Sequence, residues 1–96
     1  MNNKDLYQEK KQAQLNEWKA QINKFKAQAA LATVDAKIEM NKQIKILEGK
    51  MDEGKVKLSE LSKATESTFE SVKKNVETAY ESVKTTFNDA AKKFKS

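Results

Sequence analysis

Asp52 and Glu53 are adjacent carboxylates, a residue type that binds divalent cations or shares a proton in acid–base chemistry. They stand in Glu48-Gly49-Lys50-Met51-Asp52-Glu53-Gly54, which also holds the only two glycines of the chain. Neither chemistry fits the spacing. Neighbouring residues on a helix point about 100° apart, so these carboxylates do not converge on one ion or one proton. The glycines lie in a highly charged context that matches no phosphate-cradling loop. Histidine and cysteine are absent, which removes the best general base, the best nucleophile and the Glu-x-x-His motif of di-metal helical bundles. The remaining Ser, Lys and Glu fall on the outward face of a helical pattern. No catalytic, cofactor-binding or metal-binding residue is assigned, and no enzymatic activity or cofactor is expected.

The chemistry that remains is contact chemistry. Trp18 and Tyr80 sit at core-type positions, Trp18 as a packed anchor and Tyr80 with its ring inside and its hydroxyl reaching a polar neighbour or water. Lys92, Lys93 and Lys95 surround Phe94 and complement the dipole at a helix C-terminus; contact with lipid headgroups is the sharper reading of the same residues. All 19 basic residues are lysines, set against 14 acids for a net charge of +5. The two signs are interspersed, as on a solvated helix face, with Glu53 and Lys57, Glu70 and Lys74, and Asp89 and Lys93 spaced for i,i+4 pairing. Without arginine there is no planar fork to read guanine edges, so specific nucleic-acid recognition is not expected.

These side chains need long helices to position them. Phe69-Glu70-Ser71-Val72-Lys73 returns eleven residues later as Tyr80-Glu81-Ser82-Val83-Lys84. Over residues 58–94, Leu58, Leu61 and Thr65 map onto Phe69, Val72 and Val76, then onto Tyr80, Val83 and Phe87, and finally onto Ala91 and Phe94. Eleven residues make three turns at about 3.67 residues each, so the stripe runs nearly straight along a helix. Upstream, Leu15, Trp18, Ile22, Phe25, Ala29, Ala32 and Ala36 alternate in steps of three and four, as in a heptad coiled coil. Met40, Ile44, Leu47, Met51, Leu58 and Leu61 follow after a stutter. A chain of 96 residues with no proline, 38 % hydrophobic and 34 % charged residues has the composition of long helices. Low hydrophobicity also marks disorder, but a disordered chain has no reason to keep its apolar residues in phase.

The fold class predicted is all-α: an elongated antiparallel helical hairpin of coiled-coil type that assembles into a helical bundle. A single domain over residues 1–96 holds a first helix from about 4 to 62, a turn at about 63–67 and a second helix from about 68 to 94. The hydroxyl-rich Ser62-Lys63-Ala64-Thr65-Glu66-Ser67-Thr68, with Ser67 and Glu70 spaced as a capping box, favours that turn. A break at Gly49–Gly54 competes, yet the stripe stays in phase through it. In the favoured hairpin the second helix is too short to cover Leu15, Trp18, Ile22, Phe25 and Ala29, so a second chain is expected to do so. The predicted interface is therefore those five residues with Phe69, Val72, Val76, Tyr80, Val83 and Phe87.

The order of Leu15-Asn16-Glu17-Trp18, Asp35-Ala36-Lys37-Ile38, Leu58-Ser59-Glu60-Leu61, the aromatic repeat and Ala91-Lys92-Lys93-Phe94-Lys95 resembles a group of small bacterial proteins described only as coiled-coil domain-containing. The chain departs from it in lacking a glycine at Thr65-Glu66-Ser67 and in having Phe69 and Tyr80 where tryptophan is common. The resemblance implies an all-α fold and no particular activity, cofactor or ligand. The expected function is a non-enzymatic scaffold or protein-interaction module that self-associates as a dimer or higher homo-oligomer and presents a helix face to another helical protein. The alternative is an amphipathic, lipid-surface-binding or stress-protective protein, because residues 58–94 resemble apolipoprotein-like, synuclein-like and desiccation-protective helices in period; its partner would be an anionic membrane surface. No apolar run approaches the roughly 18 residues that span a bilayer. Met1-Asn2-Asn3-Lys4-Asp5 leads into a polar helix rather than a signal-peptide core, so a cytoplasmic location is expected.

Overall fold

The structure, a computed structural model, describes residues 3–95; Met1, Asn2 and Ser96, together with the Lys95 side chain, lie outside the described residues. Three helices follow one another, α1 (Asn3–Ala30), α2 (Val34–Ser62) and α3 (Phe69–Lys95). They form an all-α bundle of 52 × 20 × 17 Å. Lys26 reaches Glu48 at 3.2 Å and Lys93 reaches Glu39 at 3.8 Å, so α2 runs antiparallel to both neighbours. Tyr7 beside Phe69 and Phe25 beside Phe94 set α1 and α3 parallel.

The predicted turn between the last two helices is present, and the long first helix is not. It is divided at residues 31–33 into α1 and α2, which turns the expected hairpin into a three-helix bundle. Thr33 caps the new helix: its backbone is extended and its hydroxyl accepts the Ala36 N–H at 3.4 Å. Asp35 stands in the first turn, where a carboxylate meets the positive end of the helix dipole. The break hides in the sequence because Ala29, Ala32 and Ala36 keep the three-four spacing across it. Alanine fits a helix, a turn or a close crossing equally well, so its spacing carries little information about where the chain bends.

Two smaller corrections concern the second turn. α3 begins at Phe69, so the residue before it is Thr68 and not Ser67, and the capping box with Glu70 does not form in that register. The hydroxyls of Thr65, Ser67 and Thr68 instead bond to one another, Thr65 to Ser67 at 3.0 Å and Thr65 to Thr68 at 3.2 Å, while the Thr65 N–H donates to Thr68 Oγ1 at 3.0 Å. Lys4 donates to the Ala64 carbonyl at 2.8 Å and ties the start of α1 over this turn. Helix α2 passes straight through Gly49 and Gly54, neither of which has positive φ. Glu53 pairs with Lys50 and Lys57 with Glu60, both i,i+3, in place of the expected i,i+4 partnership between Glu53 and Lys57.

Candidate functional site

The heptad stripe of α1 and the eleven-residue stripe of α3 meet along one seam, backed by α2. Leu15, Ile22, Phe25, Ala29, Val76, Tyr80, Val83 and Phe87 are buried in a single core with Ile44, Leu47, Met51, Leu58, Leu61 and Ala90; Trp18, Phe69 and Val72 pack against it half-buried. All eleven predicted interface residues are thus brought together within one chain. The expectation that the α1 set lacks an intramolecular partner is corrected here. The break at 31–33 folds α2 back along α1 and carries α3 alongside it, so the stripe that a second chain was expected to cover is covered at home.

The seam is aromatic. Trp18 lies 5.2 Å from Tyr80 and stacks on Phe87 at 5.9 Å with an interplanar angle of 17°. Phe25 meets Phe94 edge-on at 4.4 Å. Near its N-terminal end the seam closes with a polar clasp that the sequence reading missed. Tyr7 donates its hydroxyl proton to Glu77, Lys11 pairs with the same carboxylate at 3.1 Å, and Tyr80 donates to the Lys11 carbonyl at 3.2 Å. Lys11 Nζ also lies 5.0 Å from the centre of the Tyr80 ring, and Lys73 Nζ 5.1 Å from that of Tyr7, within cation–π range. A signal was present. Tyr7 and Lys11 extend the α1 stripe backwards from Leu15 in steps of four, which places them on the face that α3 occupies.

These are the groups whose titration is displaced. Burial, then the bond and charge of Glu77, raise the Tyr7 phenol far above its ordinary value. Burial, then the Glu77 charge, push Tyr80 up to about 12. The Tyr7 hydrogen bond, helped by Lys11 and Lys73, holds Glu77 below the ordinary 4.5 against a smaller opposing effect of burial. These directions suit a structural clasp, since an acidified carboxylate is a weaker base and phenols held protonated do not ionise at neutral pH.

Stability should therefore depend on pH at both extremes. A carboxylate with a depressed folded value contributes above the unfolded value, near 4.5, and that contribution is lost as pH falls through the folded value. A phenol with a raised folded value contributes below its unfolded value, near 10.0, and loses that contribution as pH climbs towards about 12. The urea midpoint is expected to be level between these limits and to fall on either side, with both limbs flatter in Tyr7→Phe. Identical profiles in the two proteins would remove the clasp from the stability of the bundle.

An open groove of about 900 Å³ borders the clasp, lined by Lys4, Tyr7, Ala64, Phe69, Glu70 and Lys73 among others. Glu70 lies exposed on its rim, so the groove does not supply the dry enclosure in which a carboxylate becomes a general acid. Among the described residues no group of three or more His, Cys, Asp or Glu could hold a metal ion, and no helix is long and apolar enough to cross a membrane. No family model matches the chain, and no curated protein or solved structure matches it either.

Proposed function

We propose that the protein is a non-enzymatic helical-bundle scaffold, a cytoplasmic interaction module that self-associates and engages other helical proteins through the outer face of α2. The observation that carries this reading is the distribution of exposed aliphatic side chains. Among the described residues, six large hydrophobics are left in solvent: Leu6 on α1, Leu31, Val34 and Ile38 at the end of the bundle, and Ile46 and Val56 along the outer face of α2 on which this reading rests. Ile46, Gly49, Glu53 and Val56 follow one another in steps of three, four and three, the spacing of a coiled-coil seam. A side chain added at Gly49 would meet nothing within 4 Å, so a partner helix has room to approach there. The stripes of α1 and α3 are occupied within the bundle, which leaves α2 as the helix with apolar surface to offer.

Sedimentation equilibrium at micromolar concentration tests the reading. The wild type is expected as a dimer or higher oligomer, and the double variant Ile46→Asp with Val56→Asp as a folded monomer, because two carboxylates would have to be desolvated in the contact. A monomeric wild type rejects self-association. An oligomer untouched by the two aspartates rejects this face.

A further inference from the structure

We propose that the end of the bundle formed by the α1–α2 turn and the C-terminus of α3 docks on anionic lipid bilayers, with Leu31, Val34 and Ile38 entering the headgroup layer and a collar of lysines meeting the lipid charge. Two independent features coincide at this end. The first is apolar exposure. Leu31 is 91 % exposed, Val34 74 % and Ile38 54 %, and Val34 and Ile38, four residues apart, share one face of α2. Leu31 precedes them in the turn, so three exposed aliphatic side chains stand together at this end of the bundle.

The second feature is the charge. The contacts of Phe25 with Phe94 and of Glu39 with Lys93 place the last turns of α1, the first turns of α2 and the last turns of α3 at the same level of the bundle. Residues 24–48 and 88–95, which make up this end and include the paired Lys26 and Glu48, hold eight lysines against four carboxylates. The rest of the chain holds eleven lysines and ten acids, so four of the five net positive charges reside at this end. In sequence the two signs look evenly mixed. Folding gathers most of the excess, because the basic segments lie at the far ends of three helices that meet there.

The same charge argues against a second copy at this surface, since two such ends would repel. An acidic protein fits less well than a bilayer. The tip is aliphatic, without the Trp, Tyr or Arg that anchor most protein interfaces, and lysine, a point charge on a flexible stem, suits a fluid layer of headgroups. Each lysine close to an anionic surface adds roughly fivefold to partitioning, and each aliphatic side chain that enters the interface adds roughly tenfold. Docking in this way leaves the aromatic seam packed, unlike a mode in which the α3 stripe peels away to meet acyl chains.

Co-sedimentation of the full chain with phosphatidylcholine vesicles, with and without phosphatidylserine, tests the proposal. Binding is expected only to the phosphatidylserine vesicles and should weaken at least tenfold as salt rises from about 0.05 M to about 0.5 M. Leu31→Asp with Val34→Asp should abolish it, while Leu6→Asp at the opposite end should not change it; circular dichroism establishes that each variant is folded. Trp18, seated mid-bundle, should keep its emission spectrum on binding. Absence of sedimentation at low salt, equal binding to neutral vesicles, or full binding by the double variant would each overturn the proposal. A blue shift of Trp18 on binding would replace end-on docking with helix unpacking, and tighter binding to duplex DNA or an acidic protein than to vesicles would replace the lipid.

Discussion

Leu47→Asp is expected to unfold the protein at neutral pH, whereas Leu31→Asp leaves its stability within about 0.5 kcal/mol of the wild type. The exchange is the same, and burial decides the outcome: Leu47 has no exposed surface, while Leu31 is almost wholly in solvent. At position 47 the loss of the leucine removes about 2 kcal/mol or more of burial. The new carboxyl must then stay unpaired in the core or be held protonated, which at pH 7 costs about 4 kcal/mol relative to its free value near 3.9. The combined loss of roughly 6 kcal/mol is comparable to the whole stability expected of a domain this size, of order 5–15 kcal/mol. Far-UV circular dichroism of the two variants is the measurement. Full helicity and a cooperative melt for Leu47→Asp at pH 7 would contradict the burial of that face of α2.

Tyr80→Ala should cost about 3–5 kcal/mol, the range for deleting a buried ring from a core, and Tyr80→Phe only about 0.5–1.5 kcal/mol. The ring packs between Trp18 and the backbone of α2, where a Cβ at Gly54 would lie 3.4 Å from it and 3.5 Å from Leu15. At these distances an added methyl would make ordinary van der Waals contact, so the helix and the ring are closely packed without the packing demanding glycine at 54. The hydroxyl bonds the Lys11 carbonyl, which as a helix-interior group retains its own helical hydrogen bond when the phenol is removed. Urea unfolding separates the two contributions. A loss below about 1.5 kcal/mol for the alanine variant would show that the ring is not a principal contact of the seam. Combining Tyr80→Ala with Trp18→Ala should cost less than the two separate losses together, because each ring already loses its partner in the single variant.

The periodicity of apolar residues made the helices legible. The eleven-residue repeat covered α3 but also ran back from it across the turn to Leu58, so it did not mark where α3 begins; the hydroxyl-rich segment around Thr65 marked that turn. The heptad from Leu15 to Ala29 correctly identified the inner face of α1, and Met40 to Leu61 that of α2. The turn at 31–33 was hidden because its signals, Thr33 as a cap and Asp35 in the first turn, are weak beside a spacing that alanines carry across the break. That one omission altered the reading of the interface: with a single long helix the α1 stripe needs another chain, and with two it is satisfied by α2 and α3.

The sequence by itself determined the all-α class, the apolar face of each helix and the absence of histidine and cysteine chemistry, because these depend on residue type and on a period set by local backbone geometry. Tertiary structure alone decided which faces meet. It joined Tyr7 to Glu77 across seventy positions, put the two stripes against each other within one chain, and gathered most of the excess positive charge at one end of the bundle. Those outcomes depend on where a three-residue turn reverses the chain, and a helical period continues unchanged whether the chain reverses or runs on.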